Sequence, residues 1–159
     1  MNSDTLNILL ADDDLDDCFF FKEVVDDMPF PVQLKTIHDG EELMLLLEGE
    51  DTVIHQVLFL DLNMPRKNGF ECLSEIKHNK KLDQLPVIIF STSFEQTVVD
   101  RLFITGAHHF IRKPSEFSQF KRTIQYALAL IMAENFQKAD REHFVLTLPN
   151  IVTSLNPIP

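Results

Sequence analysis

Short apolar runs recur along this chain, each closed by polar residues and each followed by a stretch with helical periodicity. Residues 7–11, 32–38, 57–60, 87–90 and 107–112 are too brief for helices and read as strands. Between and after them, residues 16–27, 41–48, 69–77, 95–105 and 116–135 repeat apolar side chains at helical spacing, as in Phe20, Val24 and Met28. Pro29, Pro31, Gly40, Gly49 and Gly106 punctuate the boundaries. Five strands alternating with five helices predict a five-stranded parallel sheet, helices on both faces and right-handed crossovers. The expected fold is therefore α/β and doubly wound, (βα)5. A chain of 159 residues suits one domain with a substantial core.

The pattern stops near Asn135, so the domain is expected over 1–135, with 136–159 as an extension, either an extended arm or partly disordered. Its stretch 144–148 is apolar with β-type residues. The formal charge is −11, from 14 Lys+Arg against 25 Asp+Glu, which argues against nucleic acid and anionic membrane as partners. No apolar run approaches the ~20 residues of a membrane helix, and the first residues lack signal-peptide features, so a cytoplasmic location is expected. Cys18 and Cys72 fall inside predicted helices without metal or redox spacing and read as buried thiols. Asp16, Asp17, Asp26 and Asp27 read as a solvated acidic face.

In a parallel sheet the strand C-termini meet along one edge, where open α/β folds place their ligands. The first strand delivers Asp12 and Asp13 there, the third Asp61, the fourth Ser91, and Lys113 follows the fifth. Asp61 alone would pass for a turn-forming aspartate before Pro65, Asn68 and Gly69. No packing requirement, however, puts polar groups at the same end of four strands. Clustered carboxylates repel one another, and a hard divalent cation such as Mg²⁺ relieves that repulsion. A carboxylate so placed can attack phosphorus, while a lysine and a metal ion neutralise the transferring group and Ser91 can hydrogen-bond it.

These residues carry a resemblance. Residues 8–13 (ILLADD), 60–65 (LDLNMP) with Gly69, 91–93 (STS) and Lys113-Pro114 resemble the receiver domain of two-component response regulators, over about residues 5–134. The loop 75–87 further resembles the regulators partnered with phytochrome-type histidine kinases. The resemblance implies a flavodoxin-like fold and makes Asp61 the phosphoacceptor. It implies Mg²⁺ held by Asp12, Asp13, Asp61 and the backbone carbonyl of Asn63. It also makes Lys113 the phosphate-pairing lysine, Ser91 the switch hydroxyl and Phe110 the switch aromatic, with a cis peptide bond before Pro114. Asp14 is left as a loop acid. Phe110 read without the resemblance is a plain core residue.

The expected function is that of a response regulator, not an enzyme. It accepts phosphate from a histidine kinase or histidine phosphotransfer protein and signals to a downstream protein. Nothing after Asn135 is large or basic enough to bind DNA, so output is expected through the fourth helix, fifth strand and fifth helix. An aspartyl-phosphate hydrolase would need a second aspartate at the position of Asn63. A docking module without phosphorylation usually lacks Asp61, one of the acid pair or Lys113. A homodimer through the last helix (Leu130, Met132, Phe136) and the tail is a further expectation. Of Phe19, Phe20 and Phe21, at least one ring is expected to face solvent or a partner. His108 and His109 should point to opposite faces of a strand, which disfavours a shared metal, and His38, His55, His78 and His143 carry no assigned site. Arg66 and Lys67 either guide an acidic kinase surface or balance an acidic neighbourhood.

Overall fold

The structure, a computed structural model, describes residues 5–49, 54–133 and 136–146. β1 (Leu6–Ala11), β2 (Val32–Ile37), β3 (Val57–Leu60), β4 (Val87–Ser91) and β5 (His109–Arg112) alternate with α1 (Leu15–Asp26), α2 (Gly40–Glu48), α3 (Gly69–Lys77), α4 (Gln96–Thr105) and α5 (Phe117–Met132). The sheet is parallel in the order β2-β1-β3-β4-β5-β6. The sixth strand, β6 (Val145–Leu146), adds to the five expected and comes from the extension. It lies beside β5, pairing Val145 with Phe110 and Leu146 with Ile111.

The central strands are apolar without alternation because helices cover both faces. β3 and β4 are buried at every residue, whereas edge strand β2 is only partly covered. One core gathers Phe21, Phe59, Phe90, Phe120 and Ile124 beneath α1 and α5. The other gathers Leu43, Leu73, Ile76, Val99, Leu102 and Phe110 beneath α2, α3 and α4. The extension serves both, since Phe144 joins the second core and Leu146 the first. Cys18 and Cys72 are buried thiols as expected, each pushed up to about 12 by burial.

Helix starts follow local chemistry. Asp14 caps α1 by accepting from the N–H groups of Asp16 and Asp17, Asp39 caps α2, and Asn68 with Glu71 forms a capping box on α3. α5 stops at Met132, short of the expected end, so Phe136 is not part of the helix. That ring turns back onto His108 and His109, with centroids 5.6 and 6.0 Å apart. Both histidines meet it because His108 precedes the strand and does not alternate with His109 along it. Leu130 and Phe136 are partly buried against the α1–α5 core, while Met132 of the residues behind the dimer expectation stays exposed. Residues 147–159 lie outside the described part. No peptide bond among the described residues is cis, so the one before Pro114 is trans, contrary to the expectation from resemblance. No helix among them is long and apolar enough to cross a membrane.

Candidate functional site

The sheet edge is built by continuing the strand ladder one step past each strand. Asp12 N–H donates to the Ile37 carbonyl, Asp61 N–H to the Ala11 carbonyl and Lys113 N–H to the Ser91 carbonyl, all at 2.9 Å. The backbones of Asp12, Asp61 and Lys113 are thereby locked to a neighbouring strand. The loop after Asp61 is held close by Gly69, whose N–H donates to Leu62 O at 2.9 Å and whose Cα leaves no room for a side chain against the Asp61 carbonyl.

One carboxylate oxygen from each of Asp12, Asp13 and Asp61 falls within a 4.8 Å group suited to a metal ion. Asp12 is fully buried, Asp61 nearly so and Asp13 exposed. Asp12 Oδ1 accepts from Asp14 N at 2.9 Å. Its buried Oδ2 has Lys113 as ion partner at 2.7 Å but no well-aligned hydrogen bond, which leaves lone-pair capacity for a cation. An all-oxygen donor set with two buried carboxylates and a third at the mouth fits a hard divalent ion.

Charge crowding shows in the acidities. Burial, then the Asp12 charge, pushes Asp61 up to about 7. Burial also raises Asp12, against the lowering pull of Lys113. Burial alone would lower Lys113, but hydrogen bonds and charge from Asp12, followed by Asp17 and Asp61, carry it above its ordinary value.

Lys113 is 6% exposed and sits 2.7 Å from Asp12 Oδ2, 2.9 Å from Asp17 Oδ2 and 3.8 Å from Asp61 Oδ2. Asp17 is the residue that sequence reasoning missed. Its place among the acids of α1 suggests a solvated face, yet its side chain is 20% exposed and closes on Lys113. Its neighbours Asp26 and Asp27 do lie at the surface, paired with Lys22 and Lys121. His38, also unassigned, meets the Asp12 carbonyl through Nδ1 at 3.1 Å, and the Cys18 thiol donates to the same carbonyl at 3.4 Å.

Ser91 is fully buried and its Oγ accepts from Ser93 N–H at 3.2 Å, so the hydroxyl is engaged by its own loop. Asn63 donates its backbone N–H to the Asp61 carboxylate. Phe110 is completely buried, 5.7 Å from Phe94, in the core under α4. Arg66 faces Asp39 and Glu41, and Lys67 pairs with Glu75.

A family profile described as the response regulator receiver domain matches residues 8–125. The chain belongs to the response regulator receiver family. Among curated relatives of this receiver, the response regulator Rcp1 of Synechocystis sp. is 29% identical over 122 residues, covering 74% of this chain and 83% of the relative. A probable methanogenesis regulatory protein, FilR2 of Methanothrix harundinacea, is 26% identical over 125 residues, 77% of this chain and 81% of the relative. The crystal structure of the phosphorylated cyanobacterial phytochrome response regulator RcpA superposes with a TM-score of 0.78 at 26% identity, over 85% of this receiver and 99% of that chain. The Mn²⁺-bound form of Rcp1 gives 0.76 at 26% identity, over 84% and 99%.

Proposed function

We propose that this receiver accepts a phosphoryl group on Asp61 from a sensor histidine kinase or a histidine phosphotransfer protein in the cytoplasm. The observation that carries the reading is the meeting of Asp12, Asp13 and Asp61 around one point, with Lys113 beside them. An Asp61 carboxylate oxygen attacks phosphorus as the P–N bond to the donor imidazole breaks, and the imidazole nitrogen keeps the electron pair and takes a proton. Lys113 balances the charge arriving on Asp61, and the Ser91 O–H, whose oxygen accepts from Ser93 N–H, turns to donate to a phosphoryl oxygen. Mg²⁺, held by Asp12, Asp13, Asp61 and the Asn63 carbonyl, would supply charge neutralisation for the transferring oxygens.

Output in this reading is a shift between two populations of the surface around α4 and β5, with Ser91 and Phe110 moving together. The likeness to RcpA and Rcp1 favours a phytochrome-type kinase as donor. The test is incubation with acetyl phosphate and Mg²⁺ followed by intact-mass measurement. One phosphoryl adduct is expected on the wild type and none on Asp61→Asn. An adduct of equal yield on that variant sinks the assignment.

A further inference from the structure

The Lys113 ammonium is ion-paired with Asp12 Oδ2 at 2.7 Å and with Asp17 Oδ2 at 2.9 Å. Asp61, at 3.8 Å, is beyond hydrogen-bond reach. The lysine that should serve the phosphoryl group is therefore held back from the residue that would carry it. Asp12 and Asp17 differ in what frees them. Asp12 belongs to the carboxylate group suited to a cation, and a cation there competes with Lys113 for its oxygens. Asp17 lies outside that group, so a cation held there does not compete directly for its oxygens.

We propose that Asp17 is a positioning residue that competes with the phosphoryl group for Lys113 and so limits the stability of the phosphorylated state. The proposal rests on the reading of Asp61 as phosphoacceptor. Asp17 comes from the first turn of α1, oriented by the Asp14 side chain, which accepts from the N–H groups of both Asp16 and Asp17. Asp16 shares that cap and charge, but it is exposed and has no ion pair with Lys113 among the described residues. For Lys113 to reach an oxygen on Asp61, its contact with Asp17 must lengthen or break, and that loss is subtracted from the attraction of the phosphoryl dianion. Asp17 also adds a negative charge at a place where a dianion must settle. Both effects act in the same direction.

The experiment uses the full chain, with beryllofluoride as the phosphoryl mimic at saturating Mg²⁺. Because the chain lacks tryptophan, binding is followed by calorimetry or ¹⁹F NMR. Asp17→Asn is expected to tighten beryllofluoride about threefold to tenfold, as for loss of a partly buried charge pair. Mg²⁺ binding alone should stay within about twofold, a split that general loosening of the fold would not produce. Asp16→Asn removes the same charge one residue away and is expected to leave both affinities near wild type. Asp17→Glu, which keeps a carboxylate for Lys113, should restore the wild-type value. Asp17→Ser, tolerated in a first helical turn, stands in should the asparagine variant not fold cooperatively. Unchanged or weaker beryllofluoride binding in the Asp17 variants overturns the proposal, as does an equal gain in Asp16→Asn. If the wild type binds no beryllofluoride, the phosphoacceptor reading falls first and this proposal with it.

Discussion

Two margins of the sheet solve opposite problems. Along the C-terminal edge, the side chains of Asp12, Asp61 and Lys113 are buried together, and burial raises the pKa of both acids above the usual carboxylate value. Along the β5 flank, residues 136–146 form a strap that consumes exposed edge and apolar surface. Phe144 is fully buried against Phe103, with centroids 5.3 Å apart, and Lys138 stands over the Phe103 ring at 3.4 Å. Arg141 clasps Asp100 of α4 at 2.6 Å, and β6 takes up hydrogen bonds that β5 would otherwise present to solvent. The first margin holds buried charge that is only partly compensated, and the second is satisfied by the chain itself. The difference teaches that the α4–β5 surface, expected to serve output, is already partly occupied. A partner there meets the strap or displaces it.

The comparison breaks most visibly at Phe144. Phe144→Ala should cost about 3 kcal/mol in urea unfolding, the usual loss for a buried phenylalanine, whereas Phe19→Ala, at a position 59% exposed, should cost under ~1 kcal/mol. A small loss at Phe144 would mean that the strap melts as a separate unit, not as part of the core. The charged margin should respond with the opposite sign. Without divalent metal at pH 8, Asp61→Asn should raise stability by on the order of 1–3 kcal/mol, because it removes a buried carboxylate crowded by Asp12. Adding Mg²⁺ should raise the melting temperature of the wild type and leave the variant nearly unmoved. A destabilised Asp61→Asn would show that the site is a structural ion network.

Acid titration separates the margins more finely. Burial, then the charge of Lys77, lowers His108 to about 4, and burial lowers His109 as well. Between pH 6.5 and 4 the unfolded chain binds more protons at these histidines, so their contribution to stability falls as pH falls through that window. Asp61 acts the other way: its raised pKa makes the folded state the better proton binder between pH 3.8 and about 7. His108→Gln should therefore be less acid-sensitive than the wild type by about 1–2 kcal/mol across the window, a figure reduced for partial exposure. Parallel stability curves for the two proteins would remove His108 from the account.

The charged margin was legible in sequence because parallel strands bring their C-termini together, so that Asp12, Asp61, Ser91 and Lys113 could be aligned by counting strands. Asp17 escaped because helical periodicity put it on the polar side of α1. What decides its role is the reach of its carboxylate to Lys113, a distance that no spacing rule contains. The strap was legible only in part. The stretch 144–148 reads as apolar and β-type, but nothing local names its partner, β5, which lies more than thirty residues earlier in the chain. That Phe144 completes the core between α4 and the sheet follows from this pairing and not from its own segment. Phe19 and Phe20 were readable as surplus, and their exposure follows from a helix face too narrow for three adjacent rings.

The amide of Phe110 donates to the carbonyl of Phe144 at 3.0 Å, which makes that single proton a gauge of the strap. Its exchange with solvent deuterium should be slow while the eleven residues 136–146 stay docked and should speed up in proportion to the time they spend detached. The backbone at the aromatic position of β5 thus carries its own readout of whether the flank is open.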